Sequence, residues 1–313
     1  MRKTSKIYVA GHNGLVGSAI VRKLKDDGHK NIMTFSHDEL DLTDKNATET
    51  MFRLYKPSYV FMAAAKVGGI HANNTQSGEF FYQNIMIQTN VIEAARKYGT
   101  KKLLFLGSSC IYPKECPQPI KEEYLMTAPL EITNSGYATA KIAGIEMCKS
   151  YRRQWGCNFI SVMPCNLYGV GDNFSLMNSH VLPALIRKFH EAKLNGIPQV
   201  EVWGDGTPKR EFLYVDDLAE ALVFLMHNYN EPGHINVGAG YDVPISFLVK
   251  MIKDIVGYKG EIVWNKSYPN GTMQKLMDSS KIKELGWEPQ IDLEKGIKET
   301  YKWFVENYNN IRV

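Results

Sequence analysis

A short apolar run in the middle of the chain leads directly into polar side chains that can do chemistry. Residues 103–106 predict a buried strand, and Ser108, Ser109 and Cys110 follow it. In an open parallel sheet a ligand lies beyond the carboxyl ends of the strands, which is where these side chains would stand. Two hydroxyls and a thiol there could orient a carbonyl group and move a proton. The same residues could instead form a serine turn and a half-buried cysteine, and the rest of the chain decides between the two.

Tyr137 and Lys141 form a second candidate for proton chemistry. They are four residues apart in a segment that predicts a helix through about residue 155, so their side chains share one face. A lysine ammonium beside a phenol lowers the pKa of the phenol from about 10 toward neutrality, and such a tyrosine can donate a proton to a carbonyl that is being reduced. The lysine could also hold a ribose hydroxyl. An exposed tyrosine with a solvated lysine is the alternative, but the position of the pair after a glycine turn and the serine strand favours catalysis.

A glycine turn near the N-terminus predicts where a dinucleotide would bind. Residues 7–10 predict a buried strand, and Gly11, Gly14 and Gly17 follow it before an amphipathic helix. The first glycine permits a tight turn, the second lets the backbone approach phosphates, and the third lets the helix pack closely on the strand. In a chain that alternates strands and helices, this order favours a diphosphate-binding turn over an incidental one.

The end of the second predicted strand, residues 31–35, indicates which dinucleotide to expect. Ser36 and His37 stand where an acidic residue would hold the ribose hydroxyls of NAD. Without that acid there is room for a 2′-phosphate, so the sequence favours NADP. The next segment begins with Asp41 and ends with Asp44, and it could hold the adenine amino group or cap the following helix.

The remaining elements continue the alternation of a doubly wound α/β sheet. A third strand at residues 59–63 ends in small residues that let a flat ring or a diphosphate approach the backbone. A long helix at residues 80–97 precedes the strand at 103–106, and a later strand is predicted at 159–163. Residues 115–133 carry three prolines and predict a loop over the site.

Composition excludes several classes of function. The 313 residues are 44% hydrophobic and 22% charged, as in an ordinary globular protein, and a net charge of +4 is too small for a nucleic-acid-binding protein. No run of about 18 apolar residues predicts a membrane span, and the N-terminus lacks the apolar segment of a signal peptide. Five cysteines without a CxxC pair are typical of a reducing cytoplasm and predict no zinc site.

Taken together, the motifs resemble those of the extended short-chain dehydrogenase/reductases over essentially the whole chain. The motifs that carry the resemblance are Gly11xxGly14xxGly17, Ser108, Tyr137xxxLys141, residues 204–206 and residues 210–219. The most specific stretches, at residues 107–113, 164–169 and 179–183, are similar to those of the GDP-4-keto-6-deoxysugar epimerase/reductases within that superfamily.

The resemblance implies a Rossmann-like doubly wound parallel sheet with a smaller α/β substrate-binding domain. Residues 1–170 plus about 212–239 would bind NADP(H), and about 171–211 plus 240–313 would bind a nucleotide sugar. Cofactor contacts would come from Gly11, His12, Asn13, Gly14, Leu15, Val16, Gly17, Ser36, His37, Asp41, Ala63, Ala64, Leu106, Gly107, Ser109, Lys141, Pro164, Cys165, Asn166, Leu167 and His180.

The resemblance also implies a GDP-sugar substrate and a cytoplasmic homodimer, without nucleic acid, membrane or metal. Substrate contacts would come from Asn166, Lys188, Trp203, Arg210, Lys275 and Asp278. Four of these residues have an ordinary alternative: a solvated face for Lys188, core packing for Trp203, and a surface ion pair for Lys275 with Asp278.

The chemistry follows from such a substrate. A ketone at C4 makes the protons on C3 and C5 acidic, so one activating group serves inversion at both carbons. The resemblance implies that Cys110 removes a proton and that His180 supplies one from the opposite face, although His180 could equally be a helix-start histidine satisfied by backbone. Ser108 and Tyr137 would hold the C4 oxygen. Tyr137, supported by Lys141, would then protonate it during reduction by NADPH.

Two alternatives remain open at this point. One is a related enzyme acting on another 4-keto-deoxysugar, such as a colitose-type synthase or a reductase without epimerisation, because Cys110 and His180 do not fix whether C3, C5 or both invert. The other is a non-catalytic dinucleotide-sensing protein. Such proteins usually lose the tyrosine–lysine pair, so Tyr137 and Lys141 argue against it.

Overall fold

Strands and helices alternate along most of the chain in the computed structural model, which describes residues 1–176, 178–268 and 270–312, with only the backbone at Ile70 and His71. In chain order the elements are β1 (Ile7–Ala10), α1 (Leu15–Asp26), β2 (Ile32–Met33), α2 (Lys45–Tyr55), β3 (Tyr59–Met62), α3 (Ile70–Thr75), α4 (Ser77–Lys97), β4 (Lys102–Leu106), α5 (Ser135–Trp155), β5 (Phe159–Pro164), β6 (Asn166–Tyr168), α6 (Val181–Leu194), β7 (Gln199–Trp203), β8 (Lys209–Arg210), β9 (Phe212–Tyr214), α7 (Val215–Asn228), β10 (His234–Val237), β11 (Val243–Pro244), α8 (Ile245–Val256), β12 (Glu261–Asn265), β13 (Gln274–Lys275), α9 (Ser280–Glu284) and α10 (Leu293–Glu306).

Six parallel strands form the main sheet, in the order β2-β1-β3-β4-β5-β10. Strands β1, β4, β5 and β10 are buried along their whole length because helices cover both faces. Helices α1 and α7 pack together, while α4 packs against α2 and α5. The predicted Rossmann-like doubly wound sheet is therefore confirmed.

The strand order reverses at β1, which lies between β2 and β3. The crevice beyond β1 and β3 is the place where such sheets bind ligands. Gly11 has a φ of +81°, and a Cβ there would come within 2.7 Å of the Ala64 backbone. A Cβ on Gly17 would overlap the Gly11 carbonyl. The turn, the end of β3 and helix α1 therefore meet backbone against backbone, as the glycine spacing predicts.

A second hydrophobic core lies outside the main sheet. Helix α8 packs against α6 and α10, and α6 covers the parallel pair β7–β12. Buried side chains such as Phe189, Leu248, Ile252 and Phe304 fill this core. The short strand β8 lies between β11 and β13 in a small sheet of its own.

The structure differs from the sequence prediction in several local elements. Strand β2 covers two residues instead of five, because it is an edge strand that pairs only with the start of β1. Helix α3 was not expected, since Ile70–Thr75 is polar and lacks helical periodicity, and α4 begins at Ser77 instead of residue 80.

The last segment to join the main sheet comes from beyond residue 212. Strand β10 pairs with β5, whereas β9 does not enter the main sheet. It pairs instead with β6, and both lie where the chain passes between the two cores. Across residues 1–176, 178–268 and 270–312, no helix is both long enough and apolar enough to span a membrane.

The close approach at Gly17 predicts a matched pair of glycine substitutions. Gly17→Ala should lower the free energy of unfolding by about 2 kcal/mol, because the new methyl group meets backbone that cannot move aside. Gly78→Ala, in helix α4 with open space around the Cβ position, should be neutral or stabilising by roughly 0.5 kcal/mol. Guanidinium denaturation measures both. Equal stability of the two variants would contradict the packing described.

Candidate active site

The residues that follow β4 lie at the carboxyl edge of the sheet. Ser108 precedes a short 3-10 turn, Ser109–Ile111, and its hydroxyl accepts a hydrogen bond from the Cys110 backbone N–H at 3.3 Å. Ser108 and Cys110 are half-buried, whereas Ser109 is buried. The buried Tyr112 hydroxyl donates to the Asn236 side chain at 2.6 Å and so anchors the segment to β10. Ser108 and Cys110 are thus held on a rigid turn but remain partly open to solvent.

Helix α5 brings Tyr137 and Lys141 to this turn. Tyr137 lies in its first turn, and its hydroxyl interacts with the Ser108 side chain. Lys141 is buried, and its ammonium donates to the Leu106 carbonyl at 2.9 Å. The lysine Nζ lies 5.8 Å from the centre of the Tyr137 ring. The structure therefore brings Ser108, Cys110, Tyr137 and Lys141 together, as the motif order suggested.

The electrostatics of the pair differ from the sequence expectation. Burial, with a smaller contribution from Cys110, raises the pKa of Tyr137 above its usual value of 10.0. Burial lowers the pKa of Lys141 to about 7. The expected lowering of the tyrosine pKa was wrong for the protein alone, because the ammonium is desolvated and directed at the Leu106 carbonyl. Tyr137 is a neutral phenol at physiological pH, which is the state required of a proton donor.

His180 is the N-cap residue of α6 and is exposed. The surrounding protein atoms still disfavour its charged form, so its pKa is lowered from 6.5. Just before it, the Asn178 carbonyl accepts a hydrogen bond from Gly69 N–H at 2.9 Å, which places the start of α6 beside the loop that follows β3. Within the described part of the chain, the His180 ring has no hydrogen-bond partner, so the alternative of a ring satisfied by backbone does not apply.

The glycine turn fits the diphosphate of a dinucleotide. Gly14 is the N-cap residue of α1, no side chain caps that helix, and its first turn holds no acidic residue. A helix N-terminus of this kind favours an anion. The backbone contacts at Gly11 and Gly17 leave no space for side chains between the turn and the end of β3. The residues present therefore suit the predicted cofactor.

The region expected to meet the 2′-phosphate contains an acid that sequence spacing did not indicate. The backbone N–H of Ser36 donates to the Glu39 carboxylate at 2.7 Å. His37 is exposed, with Nδ1 4.0 Å from the Asp41 carboxylate. Asp41 accepts two hydrogen bonds from Thr43, and Asp44 accepts from the first turn of α2. The capping interpretation is thus correct for Asp44, while Asp41 is engaged in its own turn.

The turn after β5 lies beside the serine turn, because β5 neighbours β4 in the sheet. Cys165 is buried, and its backbone N–H donates to the Val237 carbonyl at 3.0 Å. The Asn166 amide donates to the Glu211 carbonyl at 2.8 Å. The predicted cofactor contacts at residues 164–167 therefore lie at the same sheet edge as Ser108.

Glu211 is a buried carboxylate for which no role was predicted. It accepts hydrogen bonds from the backbone N–H groups of Gly240 and Met277, at 2.8 and 2.9 Å. Burial raises its pKa to about 7. Glu211 lies in sequence between Arg210 and the buried apolar strand β9, and this position could have indicated that its carboxylate is buried.

The second region contributes aromatic and basic side chains. Trp203 stacks on Tyr268 with ring centres 4.3 Å apart, and the Lys188 ammonium lies 5.2 Å from the Trp203 ring. Both rings are partly exposed, so Trp203 is not simply a core residue. Tyr268 was missed because a single tyrosine in an asparagine- and proline-containing turn has no distinctive spacing.

Arg210 and Lys275 are neighbours in the β8–β13 ladder. Burial lowers the pKa of Arg210. Neither side chain forms an ion pair with any carboxylate that the structure describes, which suits cations reserved for a diphosphate or another anion. The Lys275 ammonium lies 4.0 Å from the Cys110 sulfur. The Asp278 carboxylate accepts from Ser280 N–H at 2.9 Å, so the alternative of a Lys275–Asp278 surface ion pair is wrong.

Comparison with known proteins places this arrangement in a family. The sequence model of the NAD dependent epimerase/dehydratase family matches residues 7–238. The chain is 58% identical to a putative GDP-L-fucose synthase of Arabidopsis thaliana over 307 residues, which are 98% of this chain and 94% of that protein. It is 49% identical to the GDP-L-fucose synthase of Escherichia coli, covering 98% of each.

A solved structure has the same fold and carries the predicted cofactor. A GDP-mannoheptose C4 reductase from Campylobacter jejuni, with NADP bound, is 42% identical and superposes with a TM-score of 0.91 over 97% of this chain and 99% of that one. The relatives of the present chain, its fold and its group of serine, cysteine, tyrosine and lysine side chains all indicate the same family. The chain belongs to the NAD dependent epimerase/dehydratase family and, within it, to the GDP-L-fucose synthases.

Proposed function

We propose that this protein converts GDP-4-keto-6-deoxy-D-mannose to GDP-L-fucose with NADPH, by inversion at C3 and C5 and then reduction of the C4 ketone. The observation that supports this most is the convergence of a thiol, a serine and a protonated tyrosine at one sheet edge. Epimerisation needs a base, and reduction needs an acid. Cys110 and Tyr137 are candidates for the two roles, and they act on neighbouring atoms of the sugar.

In the epimerisation steps, Cys110 is the base that removes the proton from C3 or C5. The electron pair moves toward the C4 oxygen, and hydroxyl donors such as Ser108 and Tyr137 stabilise the developing charge. His180, on the second region, returns a proton from the opposite face of the sugar. The exposed ring takes up a proton from solvent before each inversion, and because its pKa is lowered it releases that proton readily to carbon. The proton that Cys110 has accepted returns to solvent before the next inversion.

In the reductive step, Tyr137 donates its proton to the C4 oxygen. When bound, NADPH supplies the hydride that C4 receives. Tyr137 is protonated before the reaction because burial raises its pKa. One proton of the Lys141 ammonium is donated to the Leu106 carbonyl, and the others can be donated to a ribose hydroxyl. With a pKa of about 7, Lys141 can also carry positive charge beside the forming phenolate.

In this proposal one region binds the cofactor and the other binds the GDP-sugar. Residues 1–170 plus about 212–239 hold the cofactor, with the glycine turn at the diphosphate and the turn at 164–167 near the nicotinamide. Residues 171–211 plus 240–313 hold the GDP-sugar through Lys188, Trp203, Arg210 and Lys275. The Asp278 carboxylate accepts a hydrogen bond from Ser280 N–H through Oδ1, which leaves Oδ2 for a contact with the ligand.

We also propose a cytoplasmic homodimer. Phe81 and Tyr82 on α4 and Ile132 just before α5 are exposed apolar side chains of the kind that a second copy would cover. All five cysteines are free thiols, which agrees with a reducing compartment.

A second candidate function is C4 reduction of a GDP-4-keto-sugar without epimerisation. The 42% identity with a GDP-mannoheptose C4 reductase favours it specifically. The two functions share Ser108, Tyr137 and Lys141 and differ in whether Cys110 and His180 exchange protons with carbon.

Replacing Tyr137 with Phe should slow NADPH oxidation by about two to four orders of magnitude, because a positioned acid contributes that much. NADPH affinity should stay nearly unchanged. Tyr151→Phe is the matched control, since Tyr151 lies on the same helix but bonds to Glu93 away from the site. Turnover of Tyr137→Phe close to that of the control would remove Tyr137 from the mechanism.

NADPH should bind more tightly than NADH, because no acid holds the ribose hydroxyls from the positions of Ser36 and His37. The preference should be moderate, since the Glu39 carboxylate at Ser36 N–H repels a 2′-phosphate. Glu39→Gln should therefore strengthen NADPH binding several-fold and leave NADH binding unchanged, whereas the exposed neighbour Asp38→Asn should alter neither. Fluorescence titration measures the affinities of the native protein and of both variants for each cofactor. Tighter binding of NADH by the native protein would show that the ribose pocket has been misread.

Replacing Cys110 with Ser should separate the half-reactions, because a hydroxyl is a far weaker acid than a thiol and cannot serve as the base near neutrality. In deuterated water the native enzyme should incorporate deuterium at C3 and C5, and Cys110→Ser should incorporate little. Cys157→Ser, which precedes β5 at the other end of the sheet, is the control and should exchange normally.

NMR of the product decides between the two candidate functions. Reduction of the unepimerised ketone by Cys110→Ser would support the assignment of Cys110. If the native enzyme reduces the ketone with no deuterium at either carbon, the protein is a C4 reductase and the first proposal fails.

A further inference from the structure

A lysine from the second region stands beside the thiol that follows β4. The Lys275 ammonium lies 4.0 Å from Cys110 Sγ, although the two residues are 165 positions apart in sequence. Cys110 is carried by the main sheet and Lys275 by strand β13 of the second region. The contact is therefore made by the tertiary fold and not by a local turn.

The backbone around Lys275 is fixed from two sides. On one side the Leu276 N–H donates to the Gln118 side chain at 2.9 Å, and the Leu276 carbonyl accepts from Ile120 N–H at 2.7 Å. On the other side the Met277 N–H donates to the buried Glu211 carboxylate at 2.9 Å. Strand β13 also pairs with β8 in parallel register. The segment that carries Lys275 is thus clamped between the loop after Cys110 and the body of the protein.

The charge of Lys275 is not used by a carboxylate in any part of the chain that the structure describes. Lys114, at the same end of the loop, is different, because its ammonium pairs with Glu131 at 3.0 Å. Within the part of the chain that the structure describes, the titratable groups beside Cys110 are Lys275 and the phenol of Tyr137, which is neutral at physiological pH. Lys275 is therefore the basic side chain beside Cys110 in that part of the chain.

We propose that Lys275 is a positioning residue that stabilises the thiolate form of Cys110, in addition to any contact it makes with the nucleotide sugar. The thiolate is the form of cysteine that accepts a proton. In the reaction the sulfur takes the proton from C3 or C5 and becomes a thiol, the electron pair moves to the C4 oxygen, and Lys275 keeps its own proton. This role rests on the proposed function, because it assumes that Cys110 is the base.

The reactivity of Cys110 in the substrate-free protein tests the contact directly. Iodoacetamide alkylates thiolates, and cleavage after Lys114 places Cys110 and Cys116 on separate tryptic peptides for mass spectrometry. Lys275→Met should slow alkylation of Cys110 roughly fivefold at pH 7, since loss of a nearby cation lowers the thiolate fraction while the remaining thiolate is somewhat more nucleophilic. Lys275→Arg should restore the rate to within about twofold.

Two controls accompany the measurement. Lys114→Met removes a lysine that has its own carboxylate partner and should leave the alkylation rate of Cys110 unchanged. Because this variant also lacks the tryptic site at residue 114, fragment ions of the joined peptide assign the label to Cys110 or Cys116. The half-buried Cys157, at the other end of the sheet, is the internal reference for folding and reagent access in every variant. If Lys275→Met exposes Cys157, Lys275→Gln takes its place.

The outcomes separate the possible roles of Lys275. Slower alkylation of Cys110, rescued by Arg and absent in Lys114→Met, supports the proposal. Unchanged alkylation with weaker binding of GDP shows that Lys275 is a substrate ligand only and overturns it. If alkylation depends on Lys275 but the native enzyme incorporates no deuterium at C3 or C5, the charge coupling stands and the proposed epimerisation fails.

Discussion

The hydrogen bond from the buried Lys141 ammonium to the Leu106 carbonyl joins helix α5 to the end of strand β4, and the site depends on it. The Leu106 carbonyl lies where β4 ends and the serine turn begins. Lys141 reaches it at a cost, since burial disfavours the charged form and lowers its pKa to about 7. The bond fixes the position of α5 along strand β4. Tyr137 precedes Lys141 by one helical turn, so the same bond brings its hydroxyl to Ser108. A helix shifted by one residue would remove the phenol from the serine.

A second buried charged group holds the other half of the site. The Glu211 carboxylate binds the backbone at Gly240 and Met277, and the Asn166 amide binds the Glu211 carbonyl. This one residue therefore ties together the turn after β5, the segment after β10 and the strand that carries Lys275. With burial raising its pKa to about 7, its bonds to N–H groups are what keep the ionised form competitive near neutrality. The relative positions of the two cores at the site thus depend on a carboxylate that touches no predicted ligand.

The sequence predicted those parts of the molecule whose signals are local. Strand β1, the glycine turn, the amphipathic helix α1 and the i, i+4 pair Tyr137–Lys141 each follow from spacing within a few residues. The shortened β2 and the pairing of β9 with β6 did not, because both are decided by which strand lies alongside.

The same distinction applies to the site. Sequence placed Ser108 and Cys110 beyond a strand, which parallel-sheet geometry makes a strong inference. It could not place Lys275 beside Cys110 or give Glu211 a role, since those contacts are closed by chain segments far apart in sequence. The pKa of Tyr137 was misjudged for a related reason. Burial raises the pKa of the phenol and lowers that of the Lys141 ammonium, and the spacing of the two residues does not reveal how deeply either is buried.

The origin of each group indicates how one site can carry out two reactions. The residues proposed for reduction, Ser108, Tyr137 and Lys141, all belong to β4, its turn and α5, which lie within the main sheet layer. The residues proposed for epimerisation draw on the second region as well, with His180 at the start of α6 and Lys275 on β13. For its protein side chains, reduction therefore requires that the sugar carbonyl reach the carboxyl edge of the main sheet. Proton exchange at C3 and C5 requires in addition that the second region place His180 and Lys275 beside the sugar. A loosening of the contacts of Glu211 would therefore affect both reactions, epimerisation through the strand that carries Lys275 and reduction through the turn at 164–167.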